Sequence, residues 1–343
     1  MKKVKDSSNV KKIDLQYLQS TKLIHNKFYS NQLTPNSIDF RKEYNKNSKF
    51  LNYSIEVKNF KYQYFLPITI ELNNNQKYLN FFGYPIIILL NKKLSNKNYI
   101  DIFDYLKKLD KEHKFKEINF KIEIEKKHFQ EIQKEKYFEN FSHEIFVDLQ
   151  DTIEKIYKKF QSNLKGLLKK EYSDIDIEVI DKDNFKKRDF TEFRNLHIKV
   201  SNRITRSIET WNIQEKKIKN GEGFIVKMSK DNEPISFSYF SISNKNVYYD
   251  VSVGLRKLYV HYKNIHHKSV WVAIQYSKSK NFKSFFVGSY FEKSKTEIDT
   301  KEKNIQMFKK RFIKPNHYYT LIGINNIFTL KNKNFFQCIN QAN

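Results

Sequence analysis

Residues 223–253 read GFIVKMSKDNEPISFSYFSISNKNVYYDVSV. Three short runs in it, 223–228, 235–241 and 247–253, are rich in β-branched and aromatic residues. Each is bounded by turn residues, which is the pattern of strands. Lys230-Asp231-Asn232-Glu233-Pro234 supplies a hairpin connection between the first two. Downstream, Ser269 has the side chain of an N-cap for a helix through Val270, Ile274 and Tyr276. Residues 284–287 read as a strand ending at Gly288, 304–312 as a helix and 318–322 as a last strand. Upstream, Ile153, Ile156, Tyr157, Phe160, Leu164, Leu167 and Leu168 fall on one face of a long helix. Asp151 with Glu154 resembles a capping box at its start. A second helix carries Phe190, Phe193, His197 and Val200 on one side. The predicted order is α-α-β-β-β-α-β-α-β.

The first half repeats part of this. Residues 53–57 and 62–70 form a hairpin-like pair, and 79–89 a third extended run. Ile102, Phe103, Leu106 and Leu109 mark a helix, followed by a strand over 118–124 and a short helix over 128–134. The repeated β-β-β-α-β-α order suggests duplicated domains joined near 136–143. The division expected is an N-terminal extension over 1–30, a first domain over 31–140, a second over 141–330 and a tail over 331–343. The fold class expected is α/β (α+β), with each domain a mixed, mostly antiparallel sheet flanked by helices.

The chain has 343 residues, 39% hydrophobic and 16% aromatic, enough for two sizeable cores. The formal charge of +26 comes with Lys far in excess of Arg and with abundant Asn, Ile, Phe and Tyr. That mix follows from AT-rich codon usage, and the lysines are scattered, so the charge permits an anionic partner without identifying one. The single cysteine, Cys338, excludes a disulfide framework and any multi-cysteine zinc site. The N-terminal residues carry no apolar signal-peptide core. The apolar stretch 84–90 is far shorter than the roughly 18 residues that span a bilayer. The expectation is a cytoplasmic protein without a transmembrane segment, with peripheral contact at the inner membrane face left open.

Three hairpin-connected strands, a helix and a further strand form the central order of the GNAT acyltransferase fold. Two such domains in tandem resemble the Fem family of peptidoglycan aminoacyltransferases and their FemAB-like relatives. Phe146-Val147-Asp148-Leu149 and Asn163-Leu164-Lys165-Gly166-Leu167-Leu168-Lys169-Lys170 are similar to the family's second-domain opening. Met307-Phe308-Lys309-Lys310-Arg311-Phe312 resembles its FK-containing motif. The run from Leu196 through Asn202-Arg203-Ile204-Thr205-Arg206 to Trp211 and Gln214, then Asn220-Gly221-Glu222-Gly223-Phe224, looks like a FemAB-like subgroup linked to bacterial surface-polysaccharide and amino-sugar biosynthesis. Trp271-Val272-Ala273-Ile274-Gln275-Tyr276 and Gly288 continue the likeness. Residues 141–325 are covered well, and 30–140 only by element order and by Phe82-Gly83-Tyr84-Pro85. Departures are Asn163 or Lys165 where an Arg is common, Ile313 after Phe312 where the family has Phe-Gly, and no long helical-hairpin arm.

The resemblance implies transfer of an acyl or aminoacyl group from an activated donor to the amine of an amino sugar or cell-surface glycan precursor. The donor would be acyl-CoA or another acyl thioester, with aminoacyl-tRNA as the Fem-type alternative, and nothing bound permanently. The acceptor would be nucleotide- or lipid-linked. Lys309 matches the lysine that stabilises the oxyanion, and Glu222 is the candidate base, against readings as a solvated lysine and a strand-edge charge. Arg203 and Arg206 present forks suited to phosphate or carboxylate, or else form helix-end ion pairs. Trp211, Gln214, Tyr249, Trp271, Gln275 and Phe308 complete a candidate substrate set, with core packing at least as good a reading for both tryptophans. Lys268 and Ser269 at a helix start are candidates for the donor's phosphates. His261, His266 and His267 have no carboxylate among them and favour a solvated loop over a metal site. A competing reading of another class is a basic nucleic-acid-binding protein, against which the rings follow core periodicity. A third is a degenerate, non-catalytic GNAT domain.

Overall fold

The computed structural model describes residues 9–20, 30–58, 63–90, 96–124, 140–258, 261–262, 264–293, 300–314 and 319–324. The chain forms two units, one of residues 1–143, 291–297 and 319–343, the other of residues 144–290 and 298–318.

The first unit contains α1 (Leu15–Ser20), α2 (Pro35–Tyr44) and α3 (Asn96–His113), and strands β1 (Asn9–Lys12), β2 (Lys49–Asn52), β3 (Ile55–Lys58), β4 (Gln63–Leu66), β5 (Thr69–Asn73), β6 (Gln76–Asn80), β7 (Ile86–Ile87), β8 (Leu89–Leu90), β9 (Glu117–Ile118) and β10 (Phe120–Ile124). Two four-stranded sheets run β1-β3-β4-β8 and β2-β5-β6-β9. The hairpin expected at 53–70 exists as the antiparallel β3–β4 pair. Its second run divides after Leu66, and β5 pairs instead with β2 and β6. The extended run expected over 79–89 is likewise broken. Phe82 and Gly83 take φ 51° and 78° in a two-residue turn closed by reciprocal Phe81–Tyr84 backbone hydrogen bonds. The core gathers Ile55, Leu66, Ile70, Leu79, Phe103, Leu106 and Phe120. The helix expected over 128–134 lies outside the described residues.

The second unit begins with β11 (Asn140–Asp148), α4 (Ile153–Lys159), α5 (Ser162–Leu168) and β12 (Asp176–Ile180). It continues through α6 (Lys187–Ser201), α7 (Ile208–Lys219), β13 (Gly223–Lys230), β14 (Glu233–Ser243) and β15 (Asn246–Gly254). It ends with α8 (Ile265–Ser279), β16 (Ser284–Lys293) and α9 (Thr300–Lys310). A last strand, β17 (Tyr319–Ile324), pairs antiparallel with β10. The strand order in the second unit is β12-β13-β14-β15-β16-β11. β12 to β15 are antiparallel neighbours, and β15 to β16 is a parallel step bridged by α8. The expected core order of three hairpin-linked strands, a helix and a strand is present. Asp231 and Asn232 close the β13–β14 hairpin with φ 50° and 63°, a left-handed pair that short polar side chains tolerate. Asn244 and Lys245 do the same between β14 and β15, at φ 48° and 64°.

Three local expectations are corrected. The long helix over 153–168 is two helices, because Phe160 and Gln161 are extended, with ψ 153° and 151°. The break is held by Gln161, whose backbone N–H and side-chain amide donate to Arg311 and Lys310 carbonyls at 3.0 and 2.9 Å. Phe160 seats its ring against Trp271 and Phe312 there. At the start of α4 the cap is Thr152, whose hydroxyl accepts from the Lys155 N–H, and not Asp151. Helix α8 starts at Ile265 after Asn264, so Ser269 lies inside it, fully buried, with its hydroxyl 3.7 Å from the Met228 sulfur. Strand β12 and helix α7 have no counterpart in the sequence reading.

One sheet face of the second unit packs Ile156, Phe160, Leu164, Phe240, Val247, Val270 and Phe285 under α4, α5 and α8. The other packs Phe190, Phe193, Trp211, Ile218, Phe237 and Tyr239 under α6 and α7.

Candidate functional site

Tyr249 and Val251 are two residues apart in β15 yet pack into opposite faces, Tyr249 against the Phe240 cluster and Val251 against the Tyr239 cluster. The register explains it. Phe240 pairs with Tyr249 and Tyr239 with Val251, so Asp250 is an extra, bulged residue. A bulge inverts the side-to-side alternation of a strand and bends it. β15 pairs with β16 only from Asn246–Ser284 to Tyr248–Phe286, immediately before the bulge. The two groups of functional side chains lie on either side of this point.

On the Tyr249 side, α9 brings Phe308 and Lys309. The Phe308 ring stands 4.5 Å from His267 and 6.0 Å from Tyr249, and the Tyr249 hydroxyl donates to Ser252 at 2.6 Å. Lys309 lies against Gly288, where a Cβ would come within 2.8–3.1 Å of its Cε, Nζ and Cδ. Gly288 also has φ 129°, a conformation essentially reserved for glycine. The Lys309 ammonium donates to the Ser289 carbonyl at 3.0 Å, and the Ser289 hydroxyl donates at 2.5 Å to Glu144, a buried carboxylate of β11. The cationic head group is thus held in place at the point where β15 and β16 stop pairing.

His267 shows how dry this side is. Burial first, then the Arg311 charge and His266, push its imidazole down to about 3. Arg311 Nη1 lies 3.3 Å from Nε2, a contact that suits the neutral ring. A His whose folded value is depressed below its unfolded value of about 6.5 resists protonation only when folded, so stability is lost as pH falls from about 6.5 toward the folded value. We expect the melting midpoint to drop between pH 6.5 and 5, above the main carboxylate range, and His267→Gln to reduce that drop, with the remainder coming from His266, which burial pushes down to about 4; thermal scans across the interval check it.

On the other face, α7 and the loop before it build a polar cluster. Arg206 lies over the Trp211 ring, its Cζ 3.7 Å from the centroid, and donates to the Gln214 side-chain carbonyl. Trp211 is buried between Phe190, Phe193 and His197. Burial first and the Arg206 charge second hold His197 below its ordinary value. Lys217 is buried on the same helix. Burial lowers its pKa, while Asp250 and Glu222 oppose the shift. Tyr239 is fully buried, and among the described residues its hydroxyl has no hydrogen-bond partner. Burial pushes it well above its ordinary value, Asp250 and Glu222 adding to the shift and Arg206 opposing it. The Ser241 hydroxyl, two residues along the same strand, is also buried without a partner among the described residues. Gly223 leaves the room for this, since a Cβ there would lie 2.9 Å from the Tyr239 hydroxyl. Glu222 stands beside it at the α7–β13 turn, where Gly221 takes φ 73°.

The structure therefore gathers Arg206, Trp211, Gln214 and Glu222 in one group and Tyr249, Phe308 and Lys309 in another. It leaves others apart. Arg203 is exposed next to Ile204, itself 71% exposed, and its carbonyl accepts a hydrogen bond from the Ser201 hydroxyl at 2.8 Å. Trp271 packs on Tyr157 and Phe160, and Gln275 is exposed on α8. Lys268 lines a cleft of about 360 Å³ with Tyr172, Ile175, Met228 and Asn264, and the buried Ser269 hydroxyl lies behind it, 3.7 Å from the Met228 sulfur. Sequence reasoning missed Lys217, Tyr239, Ser241 and Asp250. The available signal was α7 itself, whose buried face carries Thr210, Gln214 and Lys217 beside Trp211 and Ile218. Among the described residues, no group of three or more His, Cys, Asp or Glu could hold a metal ion, and no helix is long and apolar enough to cross a membrane.

No family model and no curated protein matches the chain. Among solved structures it is similar to FemX, with a TM-score of 0.55 and 10% identity over 92% of this chain and 95% of that one. It is also similar to L-PGS from Bacillus licheniformis, with a TM-score of 0.48 and 12% identity over 90% and 98% of the two chains. A tandem GNAT protein from the clavulanic acid biosynthesis pathway gives 0.48 and 6% over 93% and 98%. At these identities the FemX likeness is one of fold: the chain is a mixed α/β protein that shares the FemX fold over nearly its whole length.

Proposed function

We propose that the second unit is an N-acyltransferase that moves an acyl or aminoacyl group from an activated donor to the amine of an amino sugar or cell-surface glycan precursor. The observation that carries this reading is Lys309, anchored through Ser289 against Gly288 where β15 and β16 stop pairing. The hydrogen bond to the Ser289 carbonyl fixes the head group. A cation fixed in advance at a half-buried site stabilises the oxyanion of the tetrahedral intermediate without reorganising when it forms. Phe308 and Tyr249 wall that position with rings. Arg206, aligned by Trp211 and Gln214, offers its guanidinium to a phosphate or carboxylate of the acceptor. The donor in this reading is acyl-CoA or another acyl thioester, and Lys268 is assigned no part in holding it. Aminoacyl-tRNA is the alternative donor, and a lipid-linked acceptor would bring the protein to the membrane surface.

A melting screen of the purified protein tests this, because a ligand of the native state raises the midpoint by linkage. It would compare coenzyme A thioesters, nucleotide-linked amino sugars and charged tRNA. We expect a rise with a thioester and with an amino-sugar nucleotide, the latter lost in Arg206→Ala. A rise with charged tRNA alone would replace the thioester donor with the Fem-type one. No rise with any of the three would overturn the reading.

A further inference from the structure

The proposed reaction uses Lys309 but leaves aside the buried carboxylate that lies two hydrogen bonds away from it. Glu144, in β11, is 1% exposed and accepts the Ser289 hydroxyl hydrogen bond at 2.5 Å, while the Ser289 carbonyl accepts from Lys309 at 3.0 Å. We infer that Glu144 is a positioning residue for Lys309, acting through Ser289: it locks the residue whose carbonyl holds the ammonium and supplies negative charge that balances a half-buried cation. The inference rests on the acyltransfer reading and deepens it by naming what fixes the oxyanion-stabilising group.

Ser289 needs such a tie. It follows Gly288, whose backbone at φ 129° has no Cβ to restrain it, so the strand at this point does not by itself fix the carbonyl that Lys309 engages. Two anchors do. Tyr290, next in the chain, is buried in the core under α4, α5 and α8, and the Ser289 hydroxyl is held by Glu144. The Glu144 backbone is firm in turn. β11 and β16 are neighbours in the sheet, where the Leu149 N–H donates to the Lys283 carbonyl at 3.0 Å and the Phe146 ring stacks on Phe286 with centroids 4.7 Å apart. A carboxylate carried on a paired strand holds its partner more closely than one on a loop.

Charge supports the same assignment. A buried carboxylate is costly unless donors and a cation compensate it, and a half-buried ammonium has the converse need. The elements packed around Lys309 bring further charged and titratable groups: Tyr249 from β15, Tyr290 from β16, His267 from α8, and Lys310 and Arg311 beside it on α9. Arg311 is turned to His267, whose ring burial keeps neutral, and Lys310 stands over Tyr290. Of all these groups Glu144 is the carboxylate, so removing its charge should make the Lys309 ammonium easier to deprotonate.

The test uses the full chain and two readouts. The first needs no substrate: lysines are reductively methylated with isotope-labelled formaldehyde, the Lys309 signal is assigned by its loss in Lys309→Arg, and its titration is followed by NMR. Glu144→Gln keeps an acceptor for the Ser289 hydroxyl but loses the charge, and its Lys309 midpoint should fall by about 0.5–1 pH unit. The second readout is transfer from acetyl-coenzyme A, longer acyl thioesters and charged tRNA to nucleotide-linked amino sugars. Glu144→Ala loses both the tie and the charge, and should lower kcat about 10- to 10²-fold with KM little changed. Glu144→Gln should recover most of the rate at neutral pH, with the alkaline limb of its profile moved down by the same shift; a purely structural role would leave that limb in place. Glu144→Gln carries the test on both readouts if Glu144→Ala does not fold. An unchanged Lys309 midpoint, or a wild-type alkaline limb, in Glu144→Gln would overturn the role of Glu144 while leaving the acyltransfer reading intact. Absence of transfer by the wild-type protein with every donor would remove the acyltransfer reading and the role of Glu144 with it.

Discussion

Replacing Lys309 with alanine is expected to lower kcat by about 10²- to 10³-fold and to move the melting midpoint little. The size follows from the loss of a fixed cation facing a developing negative charge, which in a site of restricted water is worth a few kcal/mol of barrier. The small effect on stability follows from position. Lys309 is half exposed in the last turn of α9, and the carbonyl it engages at Ser289 can be solvated once the side chain is removed. Its neighbour Lys310 provides the comparison. That ammonium stands over the Tyr290 ring, 3.9 Å from the centroid, so Lys310→Ala should cost about 0.5–1 kcal/mol of stability and leave kcat unchanged. Equal kcat values for the two variants would end the oxyanion role of Lys309. The comparison needs steady-state rates and a thermal scan on the same preparations.

Trp211→Ala is expected to be the most damaging substitution in the helical layer over β13–β15, at about 3–5 kcal/mol. The indole is 2% exposed, with Phe193 at 5.1 Å, His197 at 5.4 Å and Phe190 at 5.8 Å around it. Its removal leaves a cavity that these aromatic neighbours cannot fill without leaving their own rotamers. It also removes the surface on which Arg206 lies, so any variant protein that folds should lose the melting response to amino-sugar nucleotides. Trp211→Phe keeps a ring and much of the volume, and should recover part of the stability. Trp271→Ala should cost less, because that indole is half exposed and packs mainly on Tyr157 and Phe160. Chemical denaturation of the three variants would rank them. A Trp211→Ala loss no larger than that of Trp271→Ala would contradict the packing argument.

The strands of the second unit were legible because their signals are local. In β13 to β15, β-branched and aromatic side chains are separated by Asp231-Asn232 and Asn244-Lys245, and both pairs adopt the left-handed turn that two-residue hairpins require. α7 was not legible because three of the residues on its buried face, Thr210, Gln214 and Lys217, are polar. A search for apolar periodicity passes over a helix whose inner face serves a polar cluster. β12 was hidden for a different reason: as an edge strand with three exposed residues in succession, it lacks alternation. The break between α4 and α5 was invisible because the groups that hold it, the carbonyls of Lys310 and Arg311, are some 150 residues away.

The sequence by itself determined the three central strands of the second unit, their hairpin order, the helix and strand that follow them, and the scarcity of arginine that drew attention to residues 203 and 206. These depend on backbone propensity and side-chain chemistry, which act over a few residues. Only the tertiary structure decided which of the two arginines faces the interior, where Lys309 meets Gly288, and that Asp250 is the extra residue in β15. Arg203 and Arg206 are the same residue type three positions apart, and nothing local separates them. Trp211 and Gln214 hold one inward, and the other stays in solvent. A bulge is likewise a mismatch of count between two paired strands, and it exists only once both strands are in register.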